Sequence, residues 1–231
     1  MRKANGRHMG SLMQVRVFRD ELMPLRPVLK TWTELVLKYS DTFPQYDACY
    51  WFNERANISM LAAAAWKTQG GWLALEEFST YKHGEDAALK NGRCDLRLIK
   101  PRNETSYAIE AKQVWQGVGE LVTDRYQRVR EGMARARKDA SKLHKTEAKT
   151  RLAGCFVVPS IPASQADGTH SRKRLEKWLK ELQHKVPADA IAWAFPESSN
   201  ALEADNGRIY PGVCLLLNVR MRAIRVNKTQ N

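Results

Sequence analysis

Gly92-Arg93-Cys94-Asp95-Leu96 and Tyr107-Ala108-Ile109-Glu110-Ala111-Lys112-Gln113 are the two stretches around which the chain can be organised. In an extended strand alternate residues share a face, so Glu110 and Lys112 project together while Ile109 and Ala111 project to the other side. In the earlier stretch Cys94, Leu96 and Leu98 form one row and Arg93, Asp95 and Arg97 the other, the alternation of a half-buried strand. Asp95 therefore faces away from the apolar row. Residues 100–106 between the stretches are polar, contain Pro101 and have the length of a hairpin loop. They predict antiparallel neighbours, with Asp95 beside Glu110 and Lys112.

Two carboxylates held together raise each other's proton affinity unless a cation lies between them. Mg²⁺ takes one or two protein carboxylates and keeps its remaining positions for water and substrate phosphate, which suits so sparse a set. A lysine on the same face can orient or help deprotonate a water, or offset charge on a phosphate. A third acid lies upstream, in residues 46–67, which read as a helix. Trp51, Ile58, Leu61 and Ala65 recur there at helical spacing, and Glu54 falls on the same stripe. A carboxylate in that place needs a cation, a metal or hydrogen-bond donors. The plainer readings are a surface ion pair of Glu110 with Lys112, worth little, and a salt bridge of Glu54 with Arg55, Lys67 or a residue from elsewhere.

The order of these elements, a helix with Glu54, a strand, a strand with Asp95, a strand with Glu110-Ala111-Lys112, a basic helix and an apolar strand, resembles the PD-(D/E)xK nuclease superfamily. The likeness covers residues 46–159. It implies an α/β fold of the restriction-endonuclease-like type, a central mixed sheet flanked by helices. It also implies that Asp95 and Glu110 bind Mg²⁺, for which Mn²⁺ can substitute, that Lys112 serves the hydrolytic water, and that Glu54 joins the metal shell. The implied activity is metal-dependent hydrolysis of phosphodiester bonds in DNA. Cys94 stands where the superfamily's name has Pro, a position that varies widely within it. Gln113 follows the lysine, as a polar residue does in several branches. Many such nucleases act as dimers, and a homodimer is compatible with that likeness.

Charge points the same way. Of 231 residues 38 are Lys or Arg and 25 are Asp or Glu, a formal net charge of +13, and a chain this basic usually meets polyanions, nucleic acid above all. Residues 121–151 concentrate the cations. Val118, Val122, Val129, Met133, Ala136, Ala140 and Leu143 mark an apolar stripe through them, which predicts a long helix bent near Gly132. Arg125, Arg128, Arg135, Lys138 and Lys142 are the expected nucleic-acid contacts on its exposed sides.

The remaining chain reads as a helix over 27–39, a strand over 72–81 and a doubly buried strand over 151–159. A loop over 161–171, a basic helix over 172–184 and strands over 190–195 and 213–219 follow. Residues 1–13 read as a basic arm outside a single domain spanning 14–231. Cys49, Cys94, Cys155 and Cys214 lack zinc spacing and suit reduced core positions, and the five histidines form no close pair. No Walker loop, Ser-His-Asp pattern, secretory signal or membrane-length apolar run is present, so the cytoplasm is the default location. Most tryptophans read as core; Trp115, leading from Lys112 toward the basic helix, is the exception. Two other classes remain beside the nuclease: a non-catalytic nucleic-acid-binding module on the same fold, and a basic protein-interaction or inhibitory protein.

Overall fold

Continuous apolar runs become the interior strands of one sheet, and runs that alternate in polarity become its flank. The computed structural model describes residues 11–44, 46–83, 88–119, 124–166, 168–199 and 202–220. Along the chain these form β1 (Leu12–Val17), α1 (Arg26–Thr42), α2 (Glu54–Lys67), β2 (Leu73–His83), β3 (Leu89–Lys100) and β4 (Thr105–Gly117). Then come α3 (Gln127–Lys142), β5 (Thr150–Pro162), α4 (Gly168–Lys185), β6 (Ala190–Phe195), β7 (Arg208–Ile209) and β8 (Val213–Val219). The strand order is β1-β6-β8-β5-β4-β3-β2, with β7 pairing β5 at the side. Among the described strands only β4 and β5 run parallel. A parallel pair needs a crossover, and α3 supplies it. The result is a mixed α/β fold, a central mixed sheet flanked by helices.

Each face of the sheet has its own core. Trp32, Leu61 and Ala65 from α1 and α2 pack with Leu96, Ile109, Ala111, Phe156 and Leu215. Val129, Met133, Trp178 and Leu182 from α3 and α4 pack with Cys155, Val157, Trp193 and Leu216 on the other face. Residues 152–161 are therefore buried throughout, as the apolar run predicts. All four cysteines are buried and unpaired. Among the described residues no helix is long and apolar enough to cross a membrane.

Several elements depart from the periodicity reading. α2 begins at Glu54, eight residues later than the stripe suggests, because Asn53 accepts a hydrogen bond from the Ala56 amide at 3.0 Å and caps it. Trp51 lies before the helix, in a 3-10 turn. α3 is shorter than the basic stretch and runs through Gly132 without a break; Val122 lies outside the described residues. Residues 161–171 divide between the end of β5, a 3-10 turn and the start of α4. The edge strand β1 begins at Leu12, inside the stretch read as an arm, and pairs with β6; residues 1–10 lie outside the described residues. The rings of His83 and His144 are 5.6 Å apart, a pair that spacing does not reveal. An antiparallel bridge between Lys82 and Leu143 and a hydrogen bond from the His144 amide to the Tyr81 carbonyl join these distant positions.

Gly132 is set by packing. A Cβ there would collide with Val114 Cγ2 on β4, so the glycine lets α3 approach the sheet closely. Gly132→Ala is expected to destabilise the fold by about 1–3 kcal/mol in urea unfolding. Combining it with Val114→Ala should recover part of that loss, and a purely additive pair would refute the contact.

Candidate active site

The site begins where a ladder ends. β3 and β4 pair from Leu96 opposite Ile109 to Lys100 opposite Thr105, and no rung follows toward Asp95. On the other side of β3 the ladder to β2 runs from Glu76 opposite Leu96 to Phe78 opposite Cys94, skipping the rung between them. Glu77, the residue skipped, has φ 49°, a conformation rare outside glycine. Regular alternation fails here. Cys94 packs with Ala108, Leu143 and Ala148, whereas Leu96 and Leu98 belong to the core under α1 and α2. This corrects the single apolar row expected of Cys94, Leu96 and Leu98.

β4 continues past Ile109 with β5 on one edge. Its amides at Ala111 and Gln113, the next alternate positions on the β3 edge, need other partners. The Ala111 amide donates to Asp95 Oδ2 at 2.8 Å, and the Gln113 amide donates to Glu54 Oε2 at 3.0 Å. Two carboxylates thus continue a ladder that backbone no longer makes. Glu54 is the first residue of α2, where the helix dipole favours a negative charge. One turn later Asn57 donates to Gln113 Oε1 at 2.8 Å and ties the helix to the strand.

Glu110 and Lys112 share the face of β4 that looks toward α3, as strand alternation predicts. Glu110 is 2% exposed, with Lys82 Nζ 2.7 Å from its Oε1. Lys112 Nζ donates to the Ala111 carbonyl at 2.8 Å and lies 3.2 Å from Asp139 Oδ2 and 3.9 Å from Glu54 Oε1. Lys142 Nζ is 3.4 Å from Asp139 Oδ1. Four carboxylates, Glu54, Asp95, Glu110 and Asp139, therefore stand against the ammonium groups of Lys82, Lys112 and Lys142.

Burial and the neighbouring charges together shift the titration of the group. Burial, then the charge of Asp95, pushes Glu110 up to about 7 against the pull of Lys82. Burial also raises Glu54, with Lys112 opposing and Asp95 adding to it. For Lys112 burial acts downward, but Glu54, Asp95 and Asp139 outweigh it and the pKa rises. Burial works against ionisation of Asp139, yet Lys112 and Lys142 hold it below its ordinary value. Lys112 is accordingly a firm ammonium, fitted to donate hydrogen bonds and carry positive charge.

The four expected side chains come together along residues 110–113 of β4, though not as one ligand shell. Among the described residues no group of three or more His, Cys, Asp or Glu side chains is placed to hold a metal ion. Glu54 engages Lys112 and an amide, while Arg55 pairs with Glu77 at 3.4 Å. Asp95 and Glu110 are close enough to interact, and the charge of Asp95 adds to the burial that raises the proton affinity of Glu110. Of the expected nucleic-acid contacts, Arg128, Arg135 and Lys138 are exposed on α3, and Lys142 is half-buried against Asp139. Arg125 precedes the helix and lies 3.6 Å from Glu181. Lys82 and Asp139 escape sequence reasoning. The one signal for Asp139 is its place as an acid between Lys138 and Lys142 in a cationic helix.

No protein-family model, curated protein or solved structure matches the chain.

The raised pKa of Glu110 makes a signed prediction. In the unfolded chain the carboxyl ionises near 4.5, in the fold near 7, so the neutral form is favoured by folding. Its contribution to stability is fully present below 4.5 and is lost as pH rises to 7, by about 3 kcal/mol. In EDTA, Glu110→Gln should flatten the fall in urea-unfolding stability across that window. An unchanged slope would remove Glu110 as its source.

Proposed function

We propose that the chain is a metal-dependent nuclease that hydrolyses phosphodiester bonds in DNA. The observation that carries this reading is the gathering of Asp95, Glu110 and Lys112 at the parting of β3 and β4, with Glu54 across from the lysine. The order α2-β2-β3-β4-α3-β5, with β4 parallel to β5, supports a restriction-endonuclease-like topology within the mixed sheet. It is the order on which the likeness to the PD-(D/E)xK superfamily rests.

In this reading Asp95 and Glu110 would hold Mg²⁺, which would supply Lewis acidity and a more acidic water. Glu110 must give up its proton to do so, and Asp95 keeps its place through the Ala111 amide. Lys112 directs its ammonium toward the water or a phosphate oxygen, where fixed positive charge counts most. Glu54 and Asp139 keep that ammonium charged and limit its motion. Arg128, Arg135 and Lys138 add phosphate affinity that does not depend on sequence.

One observation favours a second reading, a nucleic-acid-binding module that does not cut. Lys112 already satisfies Asp139, and Lys82 already meets Glu110, so the cluster is largely neutralised from within.

Cleavage of supercoiled, linear and single-stranded DNA with Mg²⁺, Mn²⁺ or EDTA separates the two. The nuclease predicts metal-dependent product that falls by about a hundred-fold or more in Lys112→Ala and Asp95→Ala, with circular dichroism unchanged. Cleavage retained in either variant sinks the mechanism; DNA retention without product selects the binding module. Thermal unfolding with Ca²⁺ gives a test free of turnover. The ion should raise Tm more at pH 8 than at pH 5.5, because protons compete for Glu110, and Glu110→Gln should reduce the shift. Equal shifts at both pH values would exclude Glu110 from the cation site.

A further inference from the structure

Beyond Gln113 the same strand enters a second concavity. A cavity of about 450 Å³ is lined by Tyr46, Trp51, Trp115 and Tyr210, with Glu203 and Asp205 on its wall. Trp115 lies two residues past Gln113, about 7 Å along the strand, and Trp51 lies three residues before Glu54. The cavity and the carboxylate cluster are therefore held by the same two segments of backbone.

Its aromatic rings are organised and partly uncovered. Tyr210 is buried, its hydroxyl accepts from Asn206 Nδ2 at 2.8 Å, and its carbonyl accepts from the Tyr50 hydroxyl at 3.0 Å. Trp115 and Trp51 stand nearly perpendicular to it, with ring centroids 5.0 and 6.0 Å away. Trp115 is 37% exposed and Tyr46 83% exposed. Aromatic surface left open in a concave site marks a place for a flat or apolar group.

The charge of the wall narrows the choice. Among the described residues the cavity is lined by the carboxylates of Glu203 and Asp205 and by no Lys or Arg, which disfavours a phosphate there, whereas Arg128, Arg135 and Lys138 are exposed on α3. Carboxylates accept hydrogen bonds, and the exocyclic amines of cytosine, adenine and guanine donate them, whereas thymine has no such amine. Aromatic rings stack on any base.

We propose that this cavity is a nucleobase subsite that takes an unpaired, amine-bearing base of the strand whose phosphate lies at the carboxylate cluster. The proposal rests on the reading of that cluster as a phosphodiester site. An unpaired base is required because one held within a duplex has its faces covered. A cationic guest such as a methylated lysine would also suit aromatic rings and acids, but the phosphodiester site adjoining the cavity favours a base.

The test is fluorescence anisotropy of labelled single-stranded oligonucleotides in EDTA, where binding is read without turnover. Oligo-dC should bind more tightly than oligo-dT, and Trp115→Ala should weaken oligo-dC by about ten-fold. Tyr46→Ala, at an exposed position that folding tolerates, should act in the same direction. Glu203→Gln with Asp205→Asn should narrow the gap between oligo-dC and oligo-dT. Equal affinity for the two oligonucleotides, or wild-type binding in both aromatic variants, would overturn the proposal. So would displacement of Trp115 fluorescence changes by trimethyl-lysine peptide but not by oligo-dC. Base-dependent binding without cleavage in Mg²⁺ would uphold the subsite and reject the nuclease. Cleavage that ignores Trp115 and Tyr46 would do the reverse.

Discussion

Asp95 and Glu54 are placed in the candidate site by two backbone amides that the sheet leaves without a strand partner. β3 stops pairing at Leu96, while β4 runs on to Gly117 beside β5. The donors at Ala111 and Gln113 must still be met, since a buried amide without a partner costs about as much as a lost hydrogen bond. Asp95 and Glu54 meet them. Each carboxylate spends one oxygen on the backbone, which fixes its position more firmly than a contact between two flexible side chains. The acids are thereby part of the sheet's hydrogen bonding, and the splay of two strands is converted into a cluster of negative charge.

That cluster is expensive to leave alone. Each carboxylate loses hydration as it is buried, and each raises the proton affinity of its neighbours. Lys112 and Lys82 offset part of this from opposite sides, Lys82 being held by the bridge from the end of β2 to Leu143. What remains falls on Glu110, the least exposed of the four acids, which keeps its proton to about pH 7. A proton and a divalent cation are then rival ways of relieving one repulsion. This connects an acid whose pKa lies near neutrality with the proposed metal chemistry without requiring a three-acid shell.

The sheet-borne half of the site was legible because period-two alternation is local. Glu110 and Lys112 share a face wherever β4 is regular, and the hairpin between the strands follows from the polarity and Pro101 of the link. Legibility failed where local rules compete. The stripe through Trp51 suggested an early start to α2, but the cap at Asn53 decides it. The Cys94 row broke at Glu77, whose left-handed backbone leaves no mark in composition. Lys82, Asp139 and the pair His83 and His144 join the picture only through contacts between distant segments, which no spacing encodes.

The two faces of β4 divide the chemistry that a nucleotide would need. Glu110, Lys112 and Val114 look toward α3, the first two among charges and the third against Gly132. Gln113 and Trp115 look the other way, one fastened to α2 and the other standing against Tyr210. A nucleotide has the same division, an anionic phosphate on one side of the sugar and a flat base on the other. Under the proposed function, strand alternation would separate these two tasks over six consecutive residues. Because Gly132 brings α3 close to Val114, a shift of that helix would move Asp139, and with it Lys112, relative to the aromatic cavity. The spacing between the charged and aromatic sides is therefore set by the packing of one helix on one strand.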